Sequence, residues 1–113
     1  IPCIALTCPS ALTTAISNDM GFEEVFSHQI KTLGKQGDIL IAMTTHQSPN
    51  IMAAIRAGKS KKMTVITLCS NWSKIPNHPD KIRIPGMDAV KVQNETIKFL
   101  HQVAKEVKEL ING

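Results

Sequence analysis

The 113-residue chain has no tyrosine, one tryptophan and three phenylalanines, and its lysines are scattered. A nucleic-acid interface normally combines a basic stripe with stacking aromatics, so the sequence predicts no nucleic-acid partner. The three cysteines are an odd number and form no CxxC pair, which favours reduced thiols and a cytoplasmic location. No apolar run approaches the roughly 20 residues that span a bilayer, so we also predict no membrane segment.

Strong catalytic signatures are missing too. The chain contains neither an HExxH helix nor a GxSxG elbow, and hydrolase chemistry therefore has no support. Its length fits one domain, residues 1–113, with a single core. The sequence lacks an initiator methionine and opens almost inside a strand, so we expect it to be without an N-terminal part.

Short apolar runs alternate with segments of helical periodicity along the chain. We predict strands at residues 3–6, 38–43, 63–68 and 81–84, a loop at 69–80, a turn at 18–21, and helices at about 11–16, 22–33, 49–58 and 88–111. The alternation predicts an α/β fold with a parallel sheet covered on both faces. The core stripe of the last helix is predicted to contain Val92, Thr96, Phe99, Leu100, Val103, Val107 and Leu110.

The segment after the second predicted strand is the first candidate site. Thr44, Thr45 and Ser48 lie between that strand and a helix that can begin at Pro49. In open α/β sheets, ligands bind at the carboxyl ends of the strands, and a helix N-terminus suits a phosphate. Ser48 fits an N-cap equally well, so local sequence leaves phosphate binding and simple capping as equal alternatives.

The last helix holds the second candidate site. Gln93 and His101 are eight residues apart and about 80° apart around the axis, so both could reach one ligand or metal. His46 lies in the ligand-facing turn, and Cys8 in the turn after the first predicted strand. Each of these residues also has an ordinary structural interpretation, as a packed, solvated or space-filling side chain.

Taken together, these segments resemble the sugar isomerase (SIS) domain family, most closely its phosphoheptose isomerase branch. The resemblance covers nearly the whole chain, and its most specific part is the segment 18–26, which begins Asn18-Asp19-Met20-Gly21-Phe22. The other matching segments are 4–13, 37–41, 48–51, 63–68, 82–85 and the pair Gln93 and His101.

The resemblance implies a three-layer, flavodoxin-like SIS domain, of which residues 1–113 would be the C-terminal portion without the first strand and N-terminal helices. It implies interconversion of sedoheptulose 7-phosphate and D-glycero-D-manno-heptose 7-phosphate for lipopolysaccharide heptose. Homotetramers with sites between subunits, and a zinc ion, are further implied. On this pattern His101 is the acid/base residue and a metal ligand, Gln93 binds metal or substrate, and Thr44, Thr45 and Ser48 hold the phosphate.

The chain departs from the family at His46-Gln47, where the phosphate loop of the family has a glycine. The family's catalytic glutamate would lie upstream of Ile1, so we expect the 113-residue chain alone to be inactive. Two alternatives follow from these departures: a sugar-phosphate-binding regulator without catalysis, or a protein-interaction homologue that associates with the replication initiator.

Overall fold

The computed structural model describes residues 1–75 and 80–113. The elements are α1 (Ser10–Met20), a short 3-10 helix (Phe22–Glu24), α2 (Ser27–Leu33), β1 (Ile39–Thr44), α3 (Pro49–Ser60), β2 (Thr64–Ser70), β3 (Lys81–Ile84) and α4 (Ala89–Asn112). Three predicted strands and the last two predicted helices are therefore confirmed, with bounds shifted by about two residues or fewer. The predicted loop at 69–80 begins two residues later than expected, and its residues 76–79 lie outside the described residues.

The three strands form one parallel sheet in the order β1-β2-β3. Ile39 pairs with Thr64 at one end of β1, and Thr44 pairs with Cys69 at the other. Because all three strands run in the same direction, their carboxyl ends lie at one edge of the sheet. The loop that begins after Thr44 is therefore at the edge where α/β proteins bind ligands.

Helices α2 and α3 cover one face of this sheet. Leu40 and Ala42 of β1 and Val65 of β2 point toward α3, where Ala54 and Ile55 are among the buried partners. The alternation of side chains along a strand places these residues on a common face. Small alanines on α3 allow close packing of the helix on the strands.

Helix α4 covers the opposite face. Leu68 of β2, Ile84 of β3 and Val92 of α4 form a buried cluster, with Phe99 and Leu100 packed against it. The sheet is therefore flanked by helices on both faces, which confirms the predicted α/β architecture. No helix in the described part of the chain is both long enough and apolar enough to cross a membrane.

The predicted core stripe of α4 is only half right. Val92 is buried, but Val107 is partly exposed and Leu110 is 81% exposed. The residues of α4 that pack against the sheet lie in its first three turns, from Val92 to Leu100. The sheet in the described part of the chain has three strands and does not extend under the rest of the helix. The second half of the helix extends past the described core.

The strand predicted at residues 3–6 is wrong. These residues have no regular secondary structure, and Ile4 is 68% exposed. A strand needs a neighbouring strand for its backbone hydrogen bonds, and no described strand lies beside this segment. The segment is tethered instead by the buried Gln29, whose Nε2 donates to the Leu6 carbonyl at 3.0 Å and to the Val25 carbonyl at 2.9 Å.

Two predictions in the first third of the chain are also corrected. The expected turn at 18–21 is helical up to Met20, and α1 ends at Gly21, whose φ of 96° is accessible mainly to glycine. The helix expected over 22–33 divides into the 3-10 helix and α2. Phe22, the first residue of the 3-10 helix, is 62% exposed.

Candidate functional site

The loop between β1 and α3, residues 44–48, positions the predicted phosphate-binding residues. β1 ends at Thr44, and α3 begins at Pro49 with Ser48 at the N-cap position, as the sequence predicts. Pro49 at the first helical position has no N–H to leave unsatisfied there. The structure thus brings Thr44 and Ser48 together, with their hydroxyl oxygens 3.4 Å apart.

The hydroxyl of Ser48 makes no capping hydrogen bond to the helix. The Oδ1 of Asn50 accepts the Ile51 N–H at 2.8 Å instead. Because Asn50 satisfies one of the free amides of the first turn, Ser48 is not needed for that task. This geometry disfavours simple capping, one of the two alternatives that the sequence left open.

The hydroxyls of the two threonines already have partners in the loop. The Oγ1 of Thr44 donates to the His46 carbonyl and accepts the His46 N–H at 3.2 Å, which closes a tight turn. The Oγ1 of Thr45 lies 2.8 Å from Nδ1 of His46. Of the three predicted residues, Ser48 therefore has the hydroxyl with the weakest internal contact.

The neighbouring strand supports this loop through residues that the sequence analysis did not single out. Ser70, at the end of β2, is fully buried, and its hydroxyl donates to the Thr45 carbonyl at 2.6 Å. Two residues later, the ring of Trp72 meets that of His46 edge to face, with centroids 6.2 Å apart. The expected parallel pairing of β1 with β2 is the sequence signal from which this contact could have been predicted.

Gln93 and His101 are both exposed on α4. They are eight residues apart, or about 12 Å along the helix axis. Because α4 follows β3, its first turns start near the carboxyl edge of the sheet, and Gln93 lies closer to that edge than His101. His101 borders a shallow depression of about 260 Å³ with Ile97 and Leu100.

The described residues do not bring the two candidate sites into contact. Neither Gln93 nor His101 has a hydrogen bond to the 44–48 loop in residues 1–75 and 80–113. Cys8 is exposed in a turn in which its N–H donates to the Ala5 carbonyl at 3.2 Å. It takes part in none of the hydrogen bonds of the 44–48 loop described above. A ligand that used both sites would have to bridge the distance between them.

A zinc ion does not fit the described residues on their own. Zinc sites in proteins use three or four side-chain ligands. Within the described ranges, no group of three or more His, Cys, Asp and Glu residues is arranged to hold a metal. Gln93 and His101 would supply only two ligands. To share one metal, their side chains would have to extend toward each other past Ile97.

A charged cluster lies beside Gln93 on the exposed surface of α4. Lys91 and Lys98 donate to Glu95 at 2.9 and 3.3 Å. These hydrogen bonds and the positive charges lower the pKa of Glu95, and the Glu95 carboxylate raises the pKa of Lys91. The cluster stabilises the helix surface and makes no contact with the 44–48 loop.

Phosphoheptose isomerases are among the proteins whose sequences are similar to this chain, although no protein-family model matches it. The phosphoheptose isomerase of Burkholderia pseudomallei is 37% identical over 116 aligned residues, which cover 100% of this chain and 59% of that protein. The phosphoheptose isomerase of Campylobacter concisus is 33% identical, with 100% and 61% covered. The chain thus spans about three-fifths of the length of these relatives.

Solved structures give the same result for the fold. A phosphoheptose isomerase from Francisella tularensis superposes with a TM-score of 0.87 at 31% identity, covering 92% of this chain and 58% of that one. A phosphoheptose isomerase from Neisseria gonorrhoeae superposes with a TM-score of 0.81 at 31% identity, covering 88% and 58%. The chain is therefore a homologue of the bacterial phosphoheptose isomerases, in sequence and in fold.

Proposed function

We propose that this chain forms part of a phosphosugar isomerase that interconverts sedoheptulose 7-phosphate and D-glycero-D-manno-heptose 7-phosphate in the cytoplasm, for lipopolysaccharide heptose. The observation that carries the proposal is the 37% identity to a phosphoheptose isomerase across the whole chain. The strand-to-helix loop at residues 44–48 gives it a physical basis, because its position suits a phosphate monoester.

In this proposal the phosphate lies at the N-terminus of α3. The helix carries roughly half a positive charge there, which favours an anion at this position. Ser48 donates its hydroxyl to a phosphate oxygen, and Thr44 and Thr45 hold the loop in shape while offering further contacts. Gln93, near the same edge of the sheet, hydrogen-bonds the sugar hydroxyls.

His101 is proposed as the acid/base residue. Aldose–ketose isomerisation moves a proton between neighbouring carbons through an enediol, which requires a base on one side of the sugar and an acid on the other. His101 is exposed, and its imidazole nitrogens can accept or donate a proton at a bound sugar. The second group would come from outside the described residues.

The proposal also includes a zinc ion and a homotetramer. Gln93 and His101 would hold the metal only together with ligands from another subunit or segment, since the described residues lack a complete set. A bound zinc would polarise the sugar carbonyl. Metal analysis of the purified protein and its mass in solution test these two parts independently of the activity.

The decisive experiment measures conversion of sedoheptulose 7-phosphate by the longer protein of which the chain is proposed to form part, and by the His101→Ala variant of that protein. We expect the variant to lose activity by a factor of about 10² to 10⁴, the usual contribution of one acid/base group. His28→Ala is the matched control, because His28 is a half-buried histidine on α2, away from both candidate sites. Equal activity in the His101→Ala variant and the parent would refute the assigned role.

A non-catalytic regulator is the second candidate, and the altered loop at His46-Gln47 favours it. This function predicts that heptose phosphates raise the melting temperature of the chain without any turnover. Absence of both effects, together with tight binding to a protein partner such as the replication initiator, would favour the third candidate, a protein-interaction homologue.

A further inference from the structure

His46 is an exposed residue of the 44–48 loop that has no role in the proposed function. Residues 44–52 contain no lysine or arginine, so His46 is their only side chain that can carry a positive charge. Phosphate monoesters carry nearly two negative charges at neutral pH and are normally bound by cations as well as by N–H and O–H donors. A phosphate at this loop therefore has one candidate for charge compensation within it.

The structure holds the imidazole in a defined orientation. Nδ1 lies 2.8 Å from the Thr45 hydroxyl, so Nε2 is on the side of the ring that faces away from Thr45. His46 is exposed, and Nε2 has no hydrogen-bond partner within residues 1–75 and 80–113. In the charged ring both nitrogens carry a proton, so Nδ1–H donates to the Thr45 hydroxyl and Nε2–H can be donated to an anion.

Contacts from β2 and β3 support this orientation. Trp72 packs edge to face on the His46 ring. The backbone on either side of Trp72 is fixed by Arg83, whose Nη1 donates to the carbonyls of Ser70 and Ser73 at 2.9 and 3.2 Å. The imidazole thus rests on a part of the chain that is tied to the sheet.

The backbone of the loop accommodates a histidine without strain. Among the described residues, Lys62 is the only non-glycine residue with a positive φ, so His46 does not have one. The Thr44 hydroxyl bonds both the N–H and the carbonyl of His46, which fixes its backbone two residues before Ser48. His46 therefore has a fixed position in the loop that leads into the N-terminus of α3.

We propose that His46 is a phosphate-binding residue, with Nε2 donating to a phosphate oxygen of the phosphosugar while Thr45 holds Nδ1. This inference rests on the proposed function, because it takes the ligand to be a sugar phosphate. The imidazole supplies a donor and a positive charge at a position where the related family has a glycine without a side chain.

The test compares phosphate binding by the parent chain and by the variants His46→Gln and His46→Ala. Trp72 is the only tryptophan of the chain, so its fluorescence reports events at His46, and calorimetry gives the affinity independently. The ligands are sedoheptulose 7-phosphate, inorganic phosphate and unphosphorylated sedoheptulose. We expect His46→Ala to weaken binding of both phosphate ligands about tenfold or more.

His46→Gln, which keeps an N–H donor but loses the charge, should bind with intermediate affinity. His28→Gln should bind like the parent. Both His46 variants should keep the parent melting temperature, because His46 is a surface residue. Unchanged affinity in His46→Ala overturns the inference. An equal loss with unphosphorylated sedoheptulose also overturns it, since the contact would then be to the sugar.

The outcomes distinguish this inference from the proposed function. Isomerisation by the parent with unaltered KM and kcat in His46→Ala overturns the role of His46 and leaves the function intact. Phosphate binding that depends on His46, without turnover by the longer protein of which the chain is proposed to form part, supports the role of His46 and contradicts the isomerase. If the parent binds neither phosphate ligand, the role of His46 is overturned.

Discussion

Replacing Leu68 with alanine tests whether one cluster holds α4 to the sheet. Leu68 is 2% exposed and packs with Ile84 and Val92. The substitution removes three carbon atoms, and at about 0.8 kcal/mol for each buried methylene the transfer term is about 2.4 kcal/mol. The cavity left behind raises the expected loss to about 2.5–4 kcal/mol, a large part of the stability of a small domain.

The matched control is Leu110→Ala, the same substitution at a residue of α4 that is 81% exposed. We expect the free energy of unfolding of this variant to stay within about 0.5 kcal/mol of that of the parent. Urea denaturation followed by circular dichroism and by Trp72 fluorescence measures both, and Leu68→Ala should also lower the melting temperature by roughly 10 °C. If Leu110→Ala lowered the free energy of unfolding as much as Leu68→Ala, the reasoning would be refuted, because the end of α4 would then be buried in solution.

Two further predictions concern α4. Asp88→Ala removes the acceptor that caps the Lys91 N–H at 2.8 Å, so the free energy of unfolding should fall by about 1 kcal/mol in urea denaturation, whereas Asp88→Asn should retain most of it. The pKa of Glu95 is lowered by Lys91 and Lys98. Its ion pairs therefore stabilise the fold at pH values above the ordinary glutamate pKa, and this contribution is lost as the pH falls through the lowered pKa. Glu95→Gln should therefore slightly lower the melting temperature at pH 7 and have no effect below that lowered pKa; a constant difference at all pH values would contradict this.

Local patterns in the sequence predicted the sheet well. β3 was predicted at its observed bounds, Lys81–Ile84, because alternation of polar and apolar residues is visible within four positions. The start of α3 was also correct, since Pro49 and Ser48 are strong signals for a helix N-terminus. These features depend on residues that are neighbours in sequence.

Features that depend on distant residues could not be predicted in the same way. Residues 3–6 have the composition of a strand but no described strand beside them. The periodicity of α4 continues to Leu110, while the sheet that it packs against ends earlier. The contact between His46 and Trp72 joins residues that are 26 positions apart, and only the pairing of β1 with β2 brings them together.

The parallel register also has a consequence for how the chain folds. The partners Ile39 and Thr64 are about 25 positions apart, and Thr67 and Lys81 about 14, so each strand pairing closes a short loop at low entropic cost. We expect β1 and β2 to pair early, so that the Ser70 hydroxyl reaches the Thr45 carbonyl and the 44–48 loop takes its shape before α4 docks.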